Sequence, residues 1–74
     1  MNNIESRAML AGHLLKKVRD DRHPSATEMA IIEEVIPPQL LPRYVEILME
    51  KVMQESRPSI SMLHRIQRLI NDME

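Results

Sequence analysis

Apolar positions recur every three to four residues along the whole 74-residue chain, the spacing that lays a stripe on an α-helix and not the alternation of a strand. Ile4, Ala8, Ala11, Leu15 and Val18 form the first stripe, widened by Leu10 and Leu14, and predict a helix from about Ile4 to Asp21. Asn2 and Glu5 have the spacing of a capping box, in which one side chain accepts from the free amides of the first turn and an acid follows three residues on. Ser25 and Glu28 repeat that signal ahead of Met29, Ile32, Val35 and Ile36. Pro37 and Pro38 end this second helix, because proline has no amide to donate and disfavours helical angles in the residue before it. A turn over Gln39 to Leu41, then Pro42 in a favourable first-turn position, predicts a third helix running to about Glu55. Pro58 and Ser59 restart the chain into a fourth helix that carries Leu63, Ile66, Leu69, Ile70 and Met73.

The pattern repeats itself. An offset of 34 residues sets Leu14 on Leu48, Lys17 on Lys51, Val18 on Val52, Pro24 on Pro58, Ser25 on Ser59, Ile32 on Ile66 and Ile36 on Ile70. Shared amphipathicity explains the aliphatic matches but not the Pro-Ser pair in register, which favours an internal duplication of a helix, tight turn, helix unit. Tetratricopeptide repeats have the same length, yet their Trp, Gly and aromatic positions are missing, and two units are fewer than a solenoid needs. The expectation is therefore a single all-α domain over residues 1–74. It is a compact four-helix bundle of two similar antiparallel hairpins, about 1–37 and about 38–74.

Composition narrows how such a domain holds together. A chain this short buries only about 60% of the surface of its unfolded form, so small domains lean on disulfides, metals, regular helix packing or self-association. No cysteine is present, which removes disulfides and thiolate metal sites; Tyr44 is the only aromatic residue, so the core falls to Leu, Ile, Val and the seven Met. The formal charge of −1 gives no global field to hold a polyanion or a membrane surface. Neither a membrane span nor the basic and apolar segments of a signal peptide can be read, and the expected location is the cytoplasm.

Two surfaces stand out. Leu41, Tyr44, Val45, Leu48, Met49, Val52 and Met53 cover about half the circumference of the third helix, with Ile47 off that arc, whereas a single core needs a stripe of about 100°. Tyr44, Val45, Met49, Val52 and Met53 are the candidate partner-binding residues, because flexible Met serves binding surfaces as readily as it fills cores. Charge separates the second and fourth helices: the second carries Glu28, Glu33 and Glu34 without a base, and the fourth carries His64, Arg65 and Arg68, led in by Arg57, without an acid before Asp72. Opposite signs at equivalent positions can face each other across a dimer or select separate partners.

Chemistry has little to work with. His13, His23 and His64 have no i, i+4 spacing that would put two imidazoles on one face. Ser25 and Ser59 are explained as caps, and the neighbouring acids Glu33 with Glu34 and Asp20 with Asp21 point in different directions on a helix. Gly12 stands alone, so no phosphate loop is present. The chain is thus expected to be no enzyme, to need no cofactor and no metal, and to act on another protein, itself included, as a homodimeric regulator or adaptor. The alternative is a small DNA-binding regulator. Arg57, Ser61, His64, Arg65 and Arg68 form a set able to contact phosphates and base edges, or an acidic partner, with the fourth helix as recognition helix. The run Ser59 to Arg65 is similar to the SIS-containing helix in the winged-helix tail of bacterial DNA translocases. That likeness covers seven residues, and the Gly-containing turn and separate recognition helix of that family do not follow, so no family is assigned.

Overall fold

The structure, a computed structural model, describes residues 2–74 and is all-α. Four helices follow one another: α1 (Asn3–Asp20), α2 (Ala26–Val35), α3 (Leu41–Met53) and α4 (Ile60–Met73). Among the described residues there is no strand. Three of the four helices begin where a side-chain cap was expected. Asn2 accepts from the Glu5 amide at 2.8 Å, Ser25 from the Glu28 amide at 3.0 Å and Ser59 from the Met62 amide at 3.1 Å. Each cap residue is extended, so its side-chain oxygen swings back over the first turn and satisfies an amide that has no partner within the helix. α3 enters differently: the Leu40 amide closes a turn on the Pro37 carbonyl at 2.9 Å, and Pro42 occupies a first-turn position where a missing amide costs nothing. It also ends earlier than the apolar pattern suggests, at Met53 and not near Glu55. The amides of Gln54 and Glu55 bond the carbonyls of Lys51 and Val52 at 3.2 and 3.1 Å, a tighter three-residue closure that stops the α-helix.

The chain divides into two units, Met1–Leu40 and Leu41–Glu74, each a helical hairpin: α1 packs on α2 and α3 packs on α4. In the first unit the two helices are antiparallel. Lys17, near the end of α1, reaches Glu28 in the first turn of α2 at 3.5 Å, and Arg7, near the start of α1, donates to the Glu34 carbonyl at the end of α2 at 3.5 Å. Ala11, Val18, Met29 and Ile32 are its buried residues, together with Pro24 in the turn. The second unit buries Tyr44, Val45, Ile47 and Leu48 of α3 with Ile66 and Leu69 of α4. Ile47 corrects the arc drawn from the sequence: it is in the core, which widens the buried side of α3 past the stripe that the other apolar residues mark.

The two turns into α2 and α4 match in detail. Ser25 lies at φ −72°, ψ 158° and Ser59 at φ −70°, ψ 146°, and the helices after them start 34 residues apart. Ile32 and Ile66 are buried at equivalent places, as are Ala11 and Val45. The hairpins differ where Leu10 and His13, both exposed, correspond to the buried Tyr44 and Ile47. Larger side chains at those two positions give the second hairpin core that the first lacks. If the two caps are one device used twice, Ser25→Ala and Ser59→Ala each lower stability by about 1 kcal/mol. Urea denaturation of the single variants checks this, and a loss at one site with none at the other would separate the two turns.

Candidate interaction surface

Of the five residues of α3 expected to meet a partner, Tyr44 and Val45 belong to the core, and Tyr44 is wholly inaccessible. Their hydrophobicity is used inside the hairpin. Val52 is half-buried, while Met49 is 39% and Met53 78% exposed. Met49 and Met53 are one turn apart and so make a single ridge on α3. Met53 closes α3 and Ile60, itself 79% exposed, opens α4, so both stand at the turn end of this hairpin. Leu63, one turn further along α4, is also exposed. Sequence reasoning named the Met ridge but missed Ile60 and Leu63. Their signal was present: Ile60 lies outside the stripe through Ile66 and Leu69, and Leu63 lies on its edge.

The basic set occupies another side of α4. Arg57, Ser61, His64 and Arg68 are exposed, and Arg65 is half-buried and engaged in a polar contact. At about 100° per residue, Ser61, His64, Arg65 and Arg68 fall within roughly a quarter to a third of a turn, away from Ile66 and Leu69. This arrangement offers a cationic strip next to an apolar one.

Elsewhere the polar groups have structural work. Lys17 pairs with Asp21 at 3.3 Å and with Glu28 at 3.5 Å, tying the end of α1 to the start of α2. One Glu28 oxygen faces Lys17, and the other is buried without a hydrogen-bond partner. Among the described residues no group of three His, Cys, Asp or Glu side chains is placed to hold a metal ion, and no helix is long and apolar enough to cross a membrane. At the open end of the first hairpin a shallow cleft of about 470 Å³ lies between Ile4, Ala8 and the Val35-to-Gln39 segment. Its rim holds Arg7 and Glu34, and the rest of its lining is apolar apart from Gln39.

Asp21, first through its hydrogen bond and then through its charge, raises the Lys17 pKa above 10.5, with Glu28 adding to the shift. A raised lysine favours the folded state below its unfolded-state value of about 10.4, and that contribution disappears as pH rises through the folded value. The stability difference between the wild type and Lys17→Met should therefore be constant from neutral pH to about pH 9 and shrink above about pH 10.5. Paired denaturation curves at pH 8 and pH 11.5 measure it, and a difference that persists undiminished at the higher pH would remove the ion pairs from the account.

Comparison with known proteins adds no relative: no protein-family model, no curated protein and no solved structure matches the chain.

Proposed function

We propose that the chain is a small non-catalytic protein-interaction module, a cytoplasmic regulator or adaptor that works as a homodimer. The observation that carries this reading is the exposed apolar group at the turn end of the second hairpin, Met49 and Met53 of α3 with Ile60 and Leu63 of α4. Four large aliphatic side chains within one turn of a single connection are costly to leave in water, on the order of 1 kcal/mol or more apiece when largely exposed. Single exposed apolar residues are ordinary on protein surfaces, but a contiguous group marks a contact surface. Two of the four are methionines, whose three rotatable bonds and polarisable sulfur adapt to a partner's contour. With a formal charge of −1 the chain has no field strong enough to bind by electrostatics alone, so affinity comes from burying these anchors.

Replacing Met49 and Met53 together with Glu places two charges in a contact that must be desolvated, and the expected result is a monomer. Both positions are exposed, so the hairpin itself should keep its helix content by circular dichroism. Sedimentation of the wild type as a monomer at high micromolar concentration would sink the self-association half of this proposal.

The cationic strip of α4 supports a second reading, a DNA-binding regulator, because Arg57, His64 and Arg68 are exposed together. Phosphate contacts lose affinity steeply with salt, and each one lost flattens the salt slope by about one unit. Titration of labelled duplex DNA at two salt concentrations, wild type beside Arg65→Ala/Arg68→Ala, separates the readings. An interaction module shows no retention even at low salt, whereas a DNA binder shows binding that collapses in the double variant.

A further inference from the structure

Along α4 and its C-cap, Ile60, Leu63, Gln67, Ile70 and Glu74 follow one another at spacings of three, four, three and four residues. That is the period of a helix seam which faces another helix. Ile66 and Leu69, the buried residues of α4, point elsewhere, about a third of a turn away. The seam is uncovered: Ile60 is 79%, Leu63 39% and Ile70 37% exposed, and Gln67 is exposed at its centre. Charge is distributed unevenly along the same helix. Arg57, His64, Arg65 and Arg68 occupy its approach and first three turns, no acid intervenes, and Asp72 and Glu74 close it.

We infer that this seam is covered by α4 of a second copy of the chain, running antiparallel. The inference rests on the self-association proposed above and extends its apolar group, Ile60 and Leu63 with Met53 at the edge, along α4. Parallel pairing would set the basic half beside the basic half and acid beside acid. Antiparallel pairing brings Arg57 toward the partner's Asp72 and Glu74 at both ends, and it sets the two helix dipoles side by side in opposite directions. The self-complementarity fits a twofold axis, in which each contact occurs twice. In the register that sets Ile60 against the partner's Ile70, Leu63 meets the partner's Gln67, whose methylenes cover it while the amide reaches the rim. The twofold axis then crosses the seam at the height of Arg65, whose own position is on the far side of α4. Met53, across the turn from Ile60, borders the end of the seam. Fourteen residues of helix span only about 21 Å, so the contact is smaller than the roughly 800 Å² per partner of a tight complex, and association belongs in the micromolar range.

The chain contains no cysteine, so a single introduced thiol can carry a nitroxide label without background. Gln67→Cys and Glu74→Cys are both at exposed positions, so the hairpin keeps its fold, but Gln67 lies in the proposed contact; sedimentation of the unlabelled wild type therefore reads self-association itself. In the antiparallel pair the two labels at position 67 lie within about 20 Å. Labels at position 74 are separated by about 18 residues of helical rise, roughly 27 Å along the axis. Pulsed dipolar spectroscopy on the labelled full chain at high micromolar concentration, with sedimentation of the same samples, reads both. Short distances at 67 and long ones at 74 support the seam. A dimer with short distances at both positions is parallel, and one with long distances at both uses another surface; either overturns the seam and leaves self-association standing. A wild type that sediments as a monomer overturns both, whereas a dimeric wild type made monomeric by the label at 67 supports the seam.

Discussion

A helix that packs on one neighbour can hide only one flank, and this constraint runs through both hairpins. Each unit pairs two helices, with no disulfide to reinforce the pairing and one aromatic ring in the whole chain to thicken the core. The fully buried side chains are few, Ala11, Val18 and Ile32 in the first unit and Tyr44 and Leu48 in the second, while Ile4, Ile31, Met53 and Ile60 stay exposed. The buried residues of α1, α2 and α4 are correspondingly few, two in each helix. α3 alone buries four, and it does so with the largest side chains at its core, Tyr44, Ile47 and Leu48.

That limit explains why element existence was easy to read from the chain and surface assignment was not. Helix starts are written locally: an Asn or Ser whose side chain can reach an amide three residues on needs no tertiary context, and Asn2, Ser25 and Ser59 act as that rule requires. The end of α3 was less legible, since nothing in the run Gln54, Glu55 and Ser56 forbids another helical turn. Its closure is a matter of hydrogen-bond geometry. Apolar identity could not separate Tyr44 and Val45, which are core, from Met53, which is surface, because all belong to one broad arc and only the position of neighbouring helices decides which part of it is covered. The same ambiguity hid Ile47 in one direction and Ile60 in the other.

The internal likeness of the hairpins has a physical as well as a formal side. Pro24-Ser25 and Pro58-Ser59 build the same entry into a helix, and the buried isoleucine seven residues after each serine, Ile32 and Ile66, uses that entry to meet the preceding helix. Around that pair the two connections differ: Arg19 to His23 shares no residue with Met53 to Arg57 at the 34-residue offset. Tyr44 and Ile47 replace Leu10 and His13 on the incoming helix, and Arg65 and Arg68 stand where the first hairpin has Ile31 and Glu34. Changes at those places alter how much is buried and what charge is presented, while the Pro-Ser entry into the second helix of each hairpin stays the same.

The brevity of the connections has a kinetic consequence. Five residues join α1 to α2, and six join α3 to α4. Bringing the ends of so short a loop together costs little chain entropy, and the helices on either side can form on the microsecond scale. Each hairpin therefore reaches its native pairing through contacts close in sequence, in the fast-folding regime of helical proteins, and the chain spends little time with its apolar stripes open to the wrong partner.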